Sequence, residues 1–184
     1  MYEKQYLCSP NKFLMKKALI FLTLCCSLAL VSCKKSGVDL YSGDYSFKTT
    51  GTVTVQRQIS LLDPEVPTAY DIELPNDIGQ LQIAKLDRDE DSGVVVINHL
   101  NGNVLVTHAY CEGEEITLKK FQRDVLTVSI ESENIQFPVT ISGTGRIYEG
   151  KTIIFNLKYK GKAHVGELTY NLNGNGIRMV AYRN

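Results

Sequence analysis

From Tyr45 onward the chain alternates. Tyr45, Phe47, Thr49, Gly51, Val53 and Val55 share one parity, while Ser46, Lys48, Thr50, Thr52, Thr54 and Gln56 share the other. Successive side chains leave a strand on opposite faces, so this period of two predicts one long, half-buried strand over 45–56. The same reading gives strands over 80–86, 94–99, 103–110, 115–118, 125–130, 139–148, 152–160, 163–172 and 177–182. Three turn signals join neighbours into predicted hairpins: Asn101-Gly102, Glu149-Gly150-Lys151 and Asn173-Gly174-Asn175-Gly176. Leu61 to Asp77 carries Pro64, Pro67 and Pro75, and reads as an irregular connection or an edge. A helical turn or two is conceivable only over 114–123.

A meander of this size must curl shut or split into layers, because an open sheet leaves an apolar face and two edges in water. The fold class is therefore all-β: an antiparallel meander closing into a barrel of about 8–10 strands, with a two-layer β-sandwich as the alternative. Gly51, Gly143 and Gly145 fall on the apolar parity, where a missing side chain permits the sharp coiling that closure needs. Tyr45, Phe47, Phe155 and Tyr159 also point inward by pattern. They either line a cavity of several hundred Å³ or fill the core, which a barrel of about eight strands can just accommodate.

The front of the chain is of another kind. Lys16 and Lys17 precede an apolar run from Ala18 to Val31, of secretory length and short for a membrane span. Fourteen residues precede Met15, and Met15-Lys16-Lys17 is itself a typical beginning, so Met15 is the expected true start. The run ends in Leu30-Val31-Ser32-Cys33, which resembles the lipobox of bacterial lipoproteins. That resemblance implies cleavage before Cys33, a diacylglyceryl thioether on its sulfur and an acylated amino terminus. The expected division is a signal peptide over 1–32, a lipidated polar tether over 33–44 with partial order near Leu40 and Tyr41, and a β-barrel domain over 45–184. Lys34 does not match the Asp that retains such proteins in the inner membrane, so the outer membrane is the expected destination.

Charge and cysteine content narrow the partners. The 20 basic and 20 acidic residues balance, but Lys4, Lys12, Lys16, Lys17 and Glu3 precede Cys33, leaving 16 basic against 19 acidic, a net of −3. A weakly acidic body with no basic stripe excludes nucleic acid as the expected partner. Cys8, Cys25 and Cys26 fall in the leader, so beyond Cys33 only Cys111 remains and no internal disulfide can form. Cys111 reads as a buried or half-buried thiol at a strand end. His108 would point to the opposite face, which weakens any nucleophile–base pairing.

Tyr41-Ser42-Gly43-Asp44-Tyr45 and the strand through Val55 resemble the opening of the lipocalin-like (calycin-like) lipoproteins of Bacteroidetes, a family of unknown function. The segment Ile141 to Phe155, with Gly143, Gly145 and Gly150, is similar to their later Gly-rich hairpin. The resemblance implies a calycin-like barrel and an envelope location. True lipocalins carry Gly-x-Trp in the first strand; here Gly43-Asp44-Tyr45 stands, and Trp is absent.

Chemistry-bearing constellations are few. Asp87-Arg88-Asp89-Glu90-Asp91-Ser92-Gly93 spaces carboxylates as a Ca²⁺ loop would, but Ser92 and Asn98 occupy the positions where an EF-hand needs Gly and Glu. It reads as a solvated hairpin turn, with a weak Ca²⁺ site as the alternative. His99, His108 and His164 make no metal-ligand spacing. No nucleophile elbow, P-loop or dinucleotide fingerprint occurs, and Glu167 is the one acid whose facing depends on register. The expectation is no catalytic, cofactor or metal site, with Cys33 as the one assignable residue, its role lipid attachment. The leading reading is a non-enzymatic, lipid-anchored envelope barrel that binds a small apolar or amphipathic ligand. The alternatives are an interaction module for another envelope protein and an envelope hydrolase.

Overall fold

The computed structural model describes residues 37–58, 69–86 and 89–184. The expected signal peptide, Cys33, Pro64, Pro67, Asp87 and Arg88 lie outside the described residues. The order is one short helix, α1 (Val38–Tyr41), then β1 (Gly43–Thr50), β2 (Thr52–Gln58), β3 (Ala69–Glu73), β4 (Asp77–Lys85), β5 (Ser92–His99), β6 (Val104–Glu112), β7 (Glu115–Ile130), β8 (Glu133–Tyr148), β9 (Thr152–Val165) and β10 (Leu168–Arg183).

All pairings are antiparallel, and the sheet closes. β1 pairs with β4 on one side (Thr49↔Asp77) and with β10 on the other (Tyr45↔Arg183), which completes a ring of β1 and β4 to β10. A barrel, not a sandwich, buries the apolar parity. Tyr45, Phe47, Val53, Val55, Leu81, Ile83, Phe137, Phe155 and Tyr159 all sit in one continuous core. Tyr45, Phe137, Phe155, Ile153 and Ile177 are fully enclosed, so the interior is filled by side chains.

The wall is uneven. β1, β4, β5 and β6 are 8 to 9 residues long, whereas β7 to β10 run for 14 to 16. The tall side is extended by β2, which pairs with the first half of β10 (Val55↔Leu172), and by the edge strand β3 (Val55↔Tyr70). β3 is tied to the turn between β7 and β8: Tyr70 Oη donates to Glu131 Oε1 at 2.7 Å, and Arg57 lies 3.9 Å from the same carboxylate.

Four expectations need correction. The strand over 45–56 is two strands, because at Gly51 the backbone turns to φ +149 and β2 moves to a new stretch of β10. A Cβ there would lie 2.9 Å from Ile177 Cα, so only glycine permits the approach. Residues 114–123 hold no helix; Glu114 lies in a turn and 115–123 belong to β7, which also absorbs the strands expected over 115–118 and 125–130. Its pairing with β8 shifts between Leu118 and Phe121 and again between Arg123 and Leu126, and these bulges are what break the period. Asn173 to Gly176 is not a hairpin turn but part of β10, with a bulge between Asn175 and Ile177; the actual turn is at Gly166 (φ +58) and Glu167. Glu167 is thus on an exposed turn and faces neither wall of the barrel.

The segment expected as a tether forms α1 in the stretch near Leu40 and Tyr41 where partial order was expected. Val38 and Tyr41 of α1 are fully buried, and Val38 N–H donates to Glu90 O at 2.8 Å. Tyr45 Oη donates to Tyr41 O at 2.6 Å and accepts from Arg183 Nη2 at 2.6 Å, while the same guanidinium donates to Leu40 O at 2.9 Å. These bonds pack α1 across one end of the barrel, the end at which β1 begins and β10 finishes.

Candidate functional site

The opposite end is where the short strands stop and the tall wall continues, and there polar groups converge. Asp77 opens β4 beside Thr49 of β1. His99 closes β5, on the same inward parity as Val95 and Ile97. Arg123 comes from β7 between its two bulges. Bulges re-aim side chains, and β7 keeps its pairing with β6 only from Glu112↔Glu115 to Ala109↔Leu118 before leaving it. The Thr107 hydroxyl, donating to Lys119 O at 2.8 Å, marks where the two strands part.

Asp77 binds both neighbours. Its Oδ1 accepts from His99 Nδ1 at 2.8 Å and its Oδ2 from Arg123 Nη1 at 2.7 Å. A carboxylate only accepts, so the proton on His99 resides on Nδ1. The side chains of Asp77, Arg123 and His99 are 17 %, 12 % and 7 % exposed, so all three are largely withdrawn from water. Burial pushes the Asp77 carboxyl up, but the His99 hydrogen bond and the Arg123 charge outweigh it and hold the group below its ordinary value. Tyr159 faces the same cluster. Burial first, and then the Asp77 charge, push its phenol up to about 12 against the opposing influence of Arg123. Behind the cluster the rings of His99 and Phe47 meet in a T-shaped contact, their centroids 5.4 Å apart, and His99 Nε2 is buried without a hydrogen-bond partner.

A cleft of about 340 Å³ opens onto this cluster. Thr49, Asp77, Arg123, Tyr159, Asn76 and Asn101 supply its polar groups, and Leu74, Pro75, Ile78, Leu100 and Leu126 its apolar wall. Its volume is at the small end of ligand sites, and its mix of an apolar wall with a few fixed polar groups is what such sites share. A hydrolytic reading would need His99 to activate a nucleophile, and a nucleophile–base pair is recognised by a hydrogen bond between the two. His99 Nε2 makes none, so that pairing is not formed here.

The other sequence candidates do not join this site. Cys111 is buried near the end of β6, its thiol pushed up to about 12 by burial and by the Asp91 charge; His108 is exposed on the opposite face. His164 is exposed and shares a 3.1 Å hydrogen bond with Thr169 across the β9–β10 pair. In the acidic turn, Asp89 Oδ1 accepts from Asp91 N–H at 3.0 Å and Oδ2 from Ser92 Oγ at 2.7 Å, the geometry of a turn capped by its own Asp. Among the described residues no group of three His, Cys, Asp or Glu side chains is placed to hold a metal ion.

Sequence reasoning missed Asp77, which stands in the Pro-rich connection, and Arg123, which stands in the stretch without a period. It weighed His99 only as a metal ligand. One signal was available: His99 continues the buried parity of Val95 and Ile97, and a polar side chain on an apolar face needs a partner.

No protein-family model matches the chain, and no curated protein matches it. Among solved structures the chain is similar to one described as "Structure of EF1p2_mFAP2b bound to DFHBI", at 12 % identity and a TM-score of 0.38, over 82 % of this chain and 98 % of that one.

Proposed function

We propose that this chain is a non-enzymatic, lipid-anchored protein of the cell envelope, of the lipocalin-like lipoprotein kind, that holds a small amphipathic ligand. The observation that carries the ligand reading is the cleft at the open end, where an apolar wall meets the Asp77–Arg123–His99 cluster. It also changes where the ligand sits. The core is filled, so binding down the barrel axis has no support, and the ligand is instead seated at the mouth. Native mass spectrometry of the protein purified from its own host tests this. A co-purified species of a few hundred daltons, lost when the cleft is blocked by Asn101→Trp on its exposed turn, is the expected result; a bare chain mass throughout counts against it.

The anchor rests on the lipobox at Leu30 to Cys33 and the basic, apolar leader before it. Acyl chains add roughly 0.8 kcal/mol per buried CH₂, so two or more on Cys33 suffice for stable attachment, with the outer membrane as destination. Cys33→Ala is expected to move the protein from the membrane pellet to the soluble fraction after carbonate washing. Continued sedimentation with membranes would mean that something other than lipidation holds it.

One observation favours a second reading, an interaction module. Val104, Val106 and Tyr110 on the outer face of β6 are 57 %, 61 % and 57 % exposed, and Leu100 at the adjoining turn is more so. Contiguous exposed apolar side chains mark contact surfaces, and the stretch of β6 from Val104 to Thr107 has no ladder pairing with β7.

A further inference from the structure

We infer that Asp77 sets the ligand class of the cleft: a short aliphatic body carrying an uncharged hydrogen-bonding head, with carboxylate and phosphate heads refused. This rests on the ligand reading above and goes beyond it, because an amphipathic ligand can as well be an acid.

Among the described residues that line it, the cleft holds one cation, Arg123, and that cation is already matched. Asp77 Oδ2 accepts from its Nη1 at 2.7 Å with both side chains largely buried. An entering anion would gain the attraction of Arg123 and meet the repulsion of Asp77 at nearly the same distance. It would still lose its hydration shell, a cost an ion recovers only against an unmatched opposite charge. A cation would meet the mirror-image balance. His99 strengthens the bias: its Nδ1–H holds Asp77 Oδ1 at 2.8 Å from the barrel side and so favours the carboxylate over the neutral acid.

A neutral head has no such penalty. A guanidinium carries five N–H donors; Arg123 commits one to Asp77 and shares a hydrogen bond with the Tyr159 hydroxyl, so a carbonyl or hydroxyl oxygen can accept from those that remain. A carboxylate oxygen has two lone pairs, so each Asp77 oxygen can take a second donor. The amides of Asn76 and Asn101 at the rim both donate and accept. The aliphatic body would lie along Leu74, Ile78, Leu100 and Leu126. A primary amide or an alcohol on a short alkyl chain fits each of these demands.

The test uses the full-length protein in phosphatidylcholine nanodiscs at pH 7. Hexanamide and hexanoate, matched in length and freely soluble, are titrated by ligand-observed NMR against wild type, Asp77→Asn and Asn101→Trp. Wild type is expected to bind hexanamide at least about tenfold more tightly than hexanoate, and Asn101→Trp, which fills the cleft from an exposed turn, to lose that binding. Asp77→Asn frees the Arg123 charge, so the ratio of affinities is expected to move at least about tenfold toward hexanoate. Equal or tighter hexanoate binding by wild type overturns this inference and leaves the ligand reading standing. So does an unchanged ratio in a folded Asp77→Asn protein; if that variant does not fold, the wild-type ratio alone decides. Binding of neither probe by wild type overturns both.

Discussion

Replacing Phe155 with Ala is expected to lower the free energy of unfolding by about 3–5 kcal/mol, the range for a deleted buried aromatic. The ring is fully enclosed on β9, and it occupies the space that Gly145 of the paired strand leaves empty. A Cβ on Gly145 would come within 2.5 Å of Phe155 Cδ1. Ring and glycine are thus one packing unit: the glycine lets β8 coil, and the ring fills the hollow. Removing the ring opens a void whose nearest wall is bare backbone, which has nothing to swing into it. A double-mutant cycle follows from the same contact. Gly145→Ala alone is expected to destabilise by overpacking, about 1–3 kcal/mol, and to cost far less once Phe155 is Ala, because the clash partner is gone. Urea unfolding monitored by circular dichroism measures all four corners. A loss below about 1 kcal/mol for Phe155→Ala would mean that the interior is loosely filled, and the ligand would then have room along the barrel axis.

That unit also explains why so much of the barrel was legible. Inward parity survives local irregularity: Tyr45, Phe47, Thr49, Val53 and Val55 stay on one buried face even though the backbone breaks at Gly51. Burial of an apolar side chain is local information, written in every second residue. Where the reading failed, tertiary demands overrode local signals. Asn173-Gly174-Asn175-Gly176 has turn composition, but β10 must pair first with β2 and then with β1, and it spends those glycines on a bulge instead. The true turn, Gly166-Glu167, carries a single glycine and gave no stronger signal than its neighbours. β7 loses its period because its bulges aim Arg123 toward Asp77, so the residues that blurred the strand are those that build the site. The site is assembled across 22 residues from Asp77 to His99 and 46 from Asp77 to Arg123, separations that no local pattern encodes.

Asp77→Ala is expected to cost about 3–5 kcal/mol at pH 7, the penalty for breaking a buried ion pair by removing one partner. The loss would come less from the vanished attraction than from what stays behind. Arg123, 12 % exposed, would keep a desolvated guanidinium with no counter-charge, and His99 would lose the acceptor of its Nδ1–H while Nε2 already has no partner. Asp77→Asn keeps an oxygen to accept from one neighbour, and is expected to cost clearly less than Ala. The pH dependence gives a sharper signature than either magnitude. Asp77 is held below its ordinary pKa in the folded state, with His99 and Arg123 outweighing the upward push of burial. A depressed folded-state value means that its contribution is fully present above the unfolded-state value of about 3.9 and is lost as pH falls through the folded one. The stability gap between wild type and Asp77→Asn, measured by urea unfolding at pH 7, 5, 4 and 3, is therefore expected to hold from pH 7 to pH 5 and to shrink below about pH 4. The direction is fixed by the geometry, since protonating Asp77 removes the charge that Arg123 and His99 both face. A gap that stays constant down to pH 3 would mean that the carboxylate is no more stabilised in the barrel than in the unfolded chain.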